Sequence, residues 1–330
     1  MNSEIDAVVT WVDGSDSEVA QSIRDTLTEH KFQPLSQLSS GMRPNRFQDN
    51  GEIEYCIKGI RKMMPWIRNI YLVTSGQVPK FLNDQTIAKL NVTIIDHRSV
   101  FNGLEWALPT FNSRTIETVL YRIPDLAQRY VYFNDDVIPV RPSTPMDFFI
   151  DDKVVLRGEW KPLRHYRLKK SSAASVFLKL MSKLSKKDRS AHLLAQMRAA
   201  ELAGFTERYF HSSHAPHPVR TKTLKNFFFI NPEILERNIN YKFRNINQFV
   251  THPLAHHLEA SQNMYEIQEA SDNVTINYAK PEEVEAGLKA MHSADVKFVC
   301  IQGLELASEE SKVDIVTFLR KQIELDEWAG

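Results

Sequence analysis

Residues 130–137 read Tyr130-Val131-Tyr132-Phe133-Asn134-Asp135-Asp136-Val137, a run of aromatic and β-branched side chains that ends in two adjacent carboxylates. Such side chains pack well on a pleated surface, so the first half predicts a buried strand. Two carboxylates about 4 Å apart repel each other by roughly 4 kcal/mol at an effective dielectric near 20. Mg²⁺ or Mn²⁺ would offset this repulsion, and we therefore expect Asp135 and Asp136 to bind a divalent cation. The alternative is that one aspartate caps the next turn and the other faces solvent.

Strand and helix patterns alternate through the first half of the chain, which favours an α/β fold with a mainly parallel central sheet and flanking helices. Predicted strands cover residues 5–12, 70–74 and 92–95, and predicted helices cover residues 17–30, 52–64 and 113–122. The second half is less regular, with predicted helices to about residue 202, a histidine-rich loop, further helices and a strand at 296–300. Ligands of open α/β sheets bind at the carboxyl ends of the strands, which is where Asp135 and Asp136 would lie.

Composition narrows the class of protein. The 330 residues are 42% hydrophobic and 25% charged, which predicts a packed core in one large or two modest domains. The formal net charge is zero, so no nucleic-acid partner is expected. Two cysteines, Cys56 and Cys300, are too few for a disulfide scaffold and favour a reducing compartment. With neither a signal-peptide pattern nor an apolar run of ~20 residues, we expect a cytoplasmic protein, at most peripheral at the inner membrane.

One segment is strongly basic. Residues 161–200 contain eleven Lys or Arg and only one acidic residue, and apolar residues recur at helical spacing within residues 176–184. This pattern is typical of a basic amphipathic helix that binds an anionic membrane surface or an anionic polymer, or that simply docks on its own domain. We therefore predict a core formed by residues 1–160 and 205–330, with residues 161–204 as a basic helical insertion.

Three segments have the residue types of an anion-binding site. Gly14 in the turn Asp13-Gly14-Ser15-Asp16 permits a tight or left-handed conformation, so that backbone amides face a phosphate or ribose. Trp11 would stack on a base or belong to the core. Arg46, near Asp49 and Asn50, would clamp a phosphate with two hydrogen bonds or pair with Asp49. Thr110 and Asn112 lie at a predicted helix N-terminus, where they would favour an anion or act as ordinary caps.

The histidines cluster in the second half of the chain, where six of the eleven lie between residues 211 and 257. His214 and His217 are candidate general bases because imidazole titrates near neutral pH. Their spacing is not a zincin motif, so zinc is the weaker alternative. His252 and His256 would share one face of a helix that begins near Pro253, with a structural role.

Together these segments resemble the Stealth family of sugar-1-phosphate transferases, which includes bacterial capsular polysaccharide phosphotransferases. Four blocks match in order and cover most of the chain: residues 5–16, residues 46–137, residues 214–217 with 241–244, and residues 297–300. The fourth block departs from the family pattern, because Ile301-Gln302-Gly303 stands where an Asn-Asp pair often follows. That departure puts a polar or metal-binding role of this block in doubt.

The resemblance implies a Rossmann-like, GT-A-like nucleotide-sugar core and a defined set of site residues. The donor would be a UDP-hexosamine, the acceptor a hydroxyl of a capsular oligosaccharide or other glycan, and the products a phosphodiester and UMP. The implied catalytic residues are Asp135 and Asp136, with Mg²⁺ or Mn²⁺, together with His214, His217 and Arg244. The implied nucleotide-sugar site comprises Trp11, Asp13, Gly14, Asp16, Arg46, Asp49, Asn50, Thr110 and Asn112.

Two other functions fit the same residue types. A metal-dependent glycosyltransferase would attack the anomeric carbon and release UDP, and a non-catalytic nucleotide-sugar or polysaccharide-binding subunit would bind the donor without turnover. Hydride transfer does not fit, because no Gly-x-Gly-x-x-Gly follows the first predicted strand.

Overall fold

The computed structural model describes residues 4–29, 47, 49–163 and 187–323. Arg46 and the predicted amphipathic segment at 176–184 lie outside the described residues, so their roles stay predictions. Within the described ranges, no helix combines the length and the hydropathy that crossing a bilayer requires.

The described part of the chain alternates strands and helices through its first half. Its strands are β1 (Ile5–Thr10), β2 (Ile70–Thr74), β3 (Val92–Asp96), β4 (Arg129–Asn134), β5 (Val137–Pro139), β6 (Phe149–Ile150), β7 (Lys153–Pro162), β8 (Arg208–Ser212), β9 (His217–Arg220), β10 (Tyr265–Gln268), β11 (Asn273–Asn277) and β12 (Phe298–Gln302). Its α-helices are α1 (Ser17–Glu29), α2 (Glu52–Met63), α3 (Asp84–Leu90), α4 (His97–Val100), α5 (Ser113–Val119), α6 (Lys187–Leu202), α7 (Thr221–Ile230), α8 (Pro232–Ile239), α9 (Thr251–Ser261), α10 (Pro281–Ala290) and α11 (Glu309–Ile323).

A five-stranded sheet with the order β3-β2-β1-β4-β9 forms the centre of the molecule. Its first four strands are parallel, and β9 pairs antiparallel with β4 at one edge. Both faces are covered, because Ala7 and Val9 pack in one hydrophobic cluster with Ile57 of α2, whereas Val8 packs in the other with Val73. Burial on both faces is typical of parallel sheets and explains their continuous apolar sequences. The predicted α/β class with a mainly parallel sheet and flanking helices is confirmed.

Two smaller sheets extend this core. One has the order β10-β7-β6 with β8 paired to β7, and the other has the order β11-β12-β5. β5 pairs antiparallel with β12, with Val137 opposite Cys300. Because only Asp135 and Asp136 separate β4 from β5, the two aspartates lie at the junction of the central sheet and the three-stranded sheet. The Ile301 amide fixes this junction by donating a 2.9 Å hydrogen bond to the Asp136 carbonyl.

Most predicted elements of the first half are confirmed within two residues. The second half differs more: the predicted histidine-rich loop is wrong at both ends, because His211 lies in β8 and His217 in β9. β9 contains Pro218 and is an edge strand, where proline is tolerated. The last predicted strand, at 296–300, is observed two residues later as β12.

The predicted insertion at 161–204 is described only at its two ends. Residues 161 and 162 complete β7, and α6 packs against α9 and β8. A small apolar cluster of Leu163, Met197, Ala200 and Tyr209 holds α6 on the core. Residues 164–186 lie outside the described residues, so the predicted contact with a polymer or a membrane surface stays a prediction.

Candidate functional site

A cleft of about 1110 Å³ opens where β1, β2 and β3 end. Five of the residues predicted to bind the nucleotide sugar line this cleft: Trp11, Asp13, Asp16, Asp49 and Thr110. Ser75, Gly76 and Gln77, which follow β2, line it as well. The five predicted residues come from separate segments of the sequence, and Trp11, Asp13 and Asp16 follow β1 at the carboxyl end of the parallel strands.

The turn after β1 is ordered by its own side chains. Asp13 Oδ1 accepts hydrogen bonds from the Ser15 amide at 2.8 Å and the Ser15 hydroxyl at 2.6 Å, and Asp16 Oδ1 accepts from the first amides of α1. A Cβ on Gly14 would lie 2.3 Å from Phe47 Cβ, so close packing requires glycine here, whereas the left-handed backbone considered above does not occur. Gln77, which follows β2, stabilises the turn with two hydrogen bonds to the backbone of Asp13. Its Oε1 accepts from the Asp13 amide at 3.1 Å, and its Nε2 donates to the Asp13 carbonyl at 2.8 Å.

Trp11 and Asp49 are neighbours in the lining of the cleft. The indole of Trp11 is only 5% exposed, so it serves as a core residue, and stacking on a base stays a prediction. Burial raises the pKa of Asp49, and the neighbouring Trp11 partly lowers it. Asn50 is exposed and bonds Glu52, and it is not among the residues that line the cleft.

Thr110 and Asn112 differ in their surroundings. Thr110 lines the cleft, and its hydroxyl bonds the Tyr241 carbonyl at 3.4 Å. Asn112 is fully buried: its side chain caps α5 through the Arg114 amide and donates to Gln248 Oε1 at 2.8 Å. Internal hydrogen bonds therefore account for Asn112 as an ordinary cap, and its contact with a nucleotide sugar stays a prediction.

Asp135 and Asp136 form a half-buried acidic group beside the cleft. Burial first, then the charges of Asp136, Glu52 and Asp49, raises the pKa of Asp135 well above its usual range. Burial and the charge of Glu52 raise the pKa of Asp136 to about 7, although the Cys300 thiol and Arg244 partly offset this effect. Among the described residues, no hydrogen-bond donor reaches Asp136 Oδ1. A buried carboxylate oxygen without a partner is costly, which indicates a missing cationic or hydrogen-bonding partner.

The acidic group does not form a complete metal cage. Within the described ranges, no set of three or more His, Cys, Asp or Glu side chains converges on a position for a metal ion. Mg²⁺ commonly takes one or two carboxylates and completes its shell with phosphate oxygens and water, so the aspartate pair fits that ion only together with a phosphate-bearing ligand. Glu52 and Cys300 were not predicted as site residues, and no local motif marks them.

The two candidate bases have different environments. His217 lies on β9, is 6% exposed and stacks on His252 with ring centroids 3.7 Å apart. Burial, followed by the nearby His252 and His256, lowers the pKa of His217 well below its usual value and keeps its ring neutral. His214 lies in the loop before β9, is exposed, and contacts Gln302 of β12. The predicted shared face of His252 and His256 is confirmed, because both rings contact His217.

Arg244 is the predicted cation of the site. Its Nη2 donates a 2.7 Å hydrogen bond to Ser113 Oγ at the first residue of α5. Its charge lowers the pKa of Asp136, which places the guanidinium near the acidic group. The structure therefore brings a cation, two half-buried carboxylates and two histidines to one edge of the central sheet.

His97 gives the fold a specific acid sensitivity. It begins α4 and lines the cleft, yet it is buried, and burial lowers the pKa of His97 to about 4. Neutral His97 therefore stabilises the fold above the unfolded pKa of about 6.5, and this stability is lost as the pH falls toward 4. Between pH 7.5 and 5 the loss is about 2 kcal/mol. We expect His97→Gln to lose about 2 kcal/mol less unfolding free energy than the wild type between pH 7.5 and 5, as measured by urea unfolding. Equal pH dependence in His97→Gln and in the control His292→Gln, whose histidine is exposed, would contradict this prediction.

Comparison with known proteins supports the resemblance. Residues 46–156 match the family model described as Stealth protein CR2, conserved region 2, and the Stealth resemblance indicated by the sequence blocks is thereby confirmed for this region. A capsular polysaccharide phosphotransferase of Neisseria meningitidis serogroup B is 40% identical over 151 residues, covering 45% of this chain and 38% of the relative. The exopolysaccharide phosphotransferase cps2G of Lactiplantibacillus plantarum is 41% identical over 152 residues, covering 45% of this chain and 40% of the relative. The alignments thus span about two fifths of the relatives' length.

Among solved structures, galactosyltransferase LgtC in complex with donor and acceptor sugar analogs overlaps 83% of this chain and 93% of its own. The sequence identity is 12% and the TM-score is 0.41. Nothing about the chemistry of this chain is inferred from an overlap at that level.

Proposed function

We propose that this chain, which carries conserved region 2 of the Stealth proteins, transfers a hexosamine 1-phosphate from a UDP-sugar to a hydroxyl of an acceptor glycan. The products would be a phosphodiester and UMP, and the process would be the synthesis of a capsule or exopolysaccharide. Support comes from relatives that are named capsular and exopolysaccharide phosphotransferases, and from the match to conserved region 2, which contains the aspartate pair.

One observation carries the proposal. The Oδ1 atom of Asp136 is buried at the carboxyl edge of the central sheet, and no donor among the described residues reaches it. A buried charged oxygen without a partner destabilises the fold. We therefore propose that this oxygen serves to bind a ligand. The adjoining cleft is large enough for a nucleotide sugar, since ligand clefts typically measure about 300–1,000 Å³.

Asp135 and Asp136 would hold Mg²⁺ or Mn²⁺ together with oxygens of the donor diphosphate. When bound, the cation would neutralise negative charge on the diphosphate. The proposed cation would offset the repulsion among these carboxylates, and it would give Oδ1 of Asp136 the partner that this atom lacks among the described residues. Arg244 would contribute a second positive charge on the side of α5.

The proposed step is a displacement at phosphorus. The acceptor hydroxyl oxygen forms a bond to the β-phosphorus, the bond from that phosphorus to the bridging oxygen breaks, and the bridging oxygen leaves on UMP. The hydroxyl proton passes to a base, for which His217 and the carboxylates of Asp135 and Asp136 are the candidates. His217 has the required neutral ring because its burial disfavours the imidazolium.

Phosphorus NMR of the reaction products tests the function. The chain would be incubated with Mg²⁺, UDP-N-acetylhexosamines and capsular oligosaccharides, with a matched sample in excess EDTA. We expect UMP and a new phosphodiester resonance, both dependent on Mg²⁺. Release of UDP would overturn the proposal in favour of attack at the anomeric carbon. Donor binding without any nucleotide product would favour a binding subunit.

A further inference from the structure

Gln302, the last residue of β12, contacts the candidate catalytic histidine of another segment. Its side-chain nitrogen Nε2 lies 3.3 Å from Nδ1 of His214, although 88 residues separate the two. Its oxygen Oε1 lies 3.1 Å from Nδ2 of Asn277 on the neighbouring strand β11. The block that departs from the family pattern at residues 301–303 therefore reaches the site through Gln302.

The direction of these hydrogen bonds is fixed by the backbone. The amide of Ala279 can only donate, and it lies 3.0 Å from Oδ1 of Asn277, which assigns that atom as the oxygen. Nδ2 of Asn277 must then donate to Oε1 of Gln302, and Nε2 of Gln302 is left to face His214. An amide nitrogen donates and does not accept, so Nδ1 of His214 is the acceptor. A neutral imidazole that accepts at Nδ1 has its proton on Nε2.

We propose that Gln302 is a positioning residue that holds neutral His214 as the Nε2–H tautomer, so that His214 donates a hydrogen bond to an anionic oxygen of the substrate. Within the reaction proposed above, on which this substrate assignment rests, that oxygen belongs to the donor diphosphate or to the phosphodiester formed. His214 then does not accept the hydroxyl proton through Nε2, because that atom already carries one. The proton goes instead to His217 or to a carboxylate of the aspartate pair.

The surroundings of His214 support a fixed orientation. The ring of His192 lies nearly parallel to it, with centroids 5.8 Å apart and an interplanar angle of 22°. His192 is held in turn by Gln196, whose Nε2 lies 2.8 Å from His192 Nε2 and whose Oε1 accepts from the Ser212 amide at 3.0 Å. Because the Ser212 amide donates to Oε1 of Gln196, Nε2 of Gln196 is the donor toward His192, and Nε2 of His192 is the acceptor. Each of the two stacked rings is oriented by one glutamine.

Long-range ¹H–¹⁵N NMR of the full chain with labelled histidine tests the tautomer at pH 8. The His214 signals would be assigned from their absence in His214→Gln. We expect an unprotonated Nδ1 and a protonated Nε2 in the wild type. Gln302→Glu should move the proton to Nδ1, because a carboxylate only accepts. A protonated Nδ1 in the wild type, or an unchanged tautomer in Gln302→Glu, would overturn the proposal.

The matched control is Gln128→Glu, which adds the same charge at an exposed position just before β4, at the end of the strand opposite Asn134. It should leave the His214 signals and the activity unchanged. Gln302→Glu should lower kcat/KM for the UDP-sugar by about 10- to 100-fold, because a small misplacement of a catalytic group can cost about 10²-fold. A larger loss in Gln128→Glu than in Gln302→Glu would contradict a specific role of Gln302.

A titration with UDP separates this inference from the proposed function. Added UDP should shift the Nε2–H proton resonance of His214, and an unchanged resonance at saturating UDP would contradict the donor role toward a phosphate oxygen. If the tautomer and the UDP response are as expected but no UMP forms during turnover, the proposed function fails while the positioning by Gln302 stands. If UMP forms but His214 has its proton on Nδ1, the proposed function stands and the positioning by Gln302 fails.

Discussion

Asp136→Asn should reduce phosphodiester formation by about 10²- to 10³-fold while it stabilises the fold. The rate falls because the variant removes a charge aimed at the reacting diphosphate, and loss of one preorganised electrostatic contact typically costs a factor of about 10²–10³. Stability rises because Oδ1 of Asp136 is buried near Glu52 and has no hydrogen-bond partner among the described residues, and a neutral amide avoids the desolvation penalty of a charged oxygen. We expect about 1–3 kcal/mol of added unfolding free energy at pH 8 without divalent cations. UMP release and urea unfolding measure the two effects.

Asp295→Asn is the matched control, because Asp295 is exposed and undergoes the same chemical change. Both its activity and its unfolding free energy should equal those of the wild type, since isolated surface changes usually stay within about 0.5 kcal/mol. Turnover of Asp136→Asn near the wild-type rate would move the catalytic centre elsewhere. Lower stability of Asp136→Asn than of the control would show that the carboxylate is paired in the folded protein.

The central sheet could be predicted from sequence because its strands are decided locally. Val8, Leu72 and Val131 are fully buried within short apolar runs bounded by turn residues, and parallel strands buried on both faces have that sequence pattern. The cleft followed from the same pattern, since the residues after each strand must meet at one edge. The placement of Trp11 and Asp49 in the nucleotide site came from the family resemblance, without any knowledge of their contacts.

The pairing of distant short strands could not be predicted. β5 has three residues and pairs with β12, about 160 positions later, so no local pattern joins them. Cys300 and Gln302 reach the site only through that pairing, and the fourth sequence block alone gave no role for either. The partner of Arg157 was equally hidden, because Asp272 lies 115 positions away and ordinary surface charges have the same appearance in a sequence.

Asp272→Asn should destabilise the fold by about 3–5 kcal/mol, the cost of leaving one partner of a buried ion pair uncompensated. Arg157 on β7 bonds both carboxylate oxygens of Asp272, at 2.8 to 3.1 Å, and the side chains are only 2% and 7% exposed. Arg157 also donates to the Asp147 carbonyl, and Asp272 directly precedes β11. The pair therefore ties the two smaller sheets together, and its loss should lower the urea-unfolding midpoint of the whole chain.

The pair Lys153–Glu266 provides the control, because Lys153 also lies on β7 and its partner Glu266 lies on β10, with side chains that are 42% and 46% exposed. Glu266→Gln should cost less than about 1 kcal/mol, since solvent screens an exposed pair. Replacing both buried partners, in Arg157→Met with Asp272→Leu, should recover much of the stability lost in Asp272→Asn, because no unpaired charge stays buried. Equal destabilisation by Asp272→Asn and Glu266→Gln would contradict the argument, since burial is what separates the two pairs.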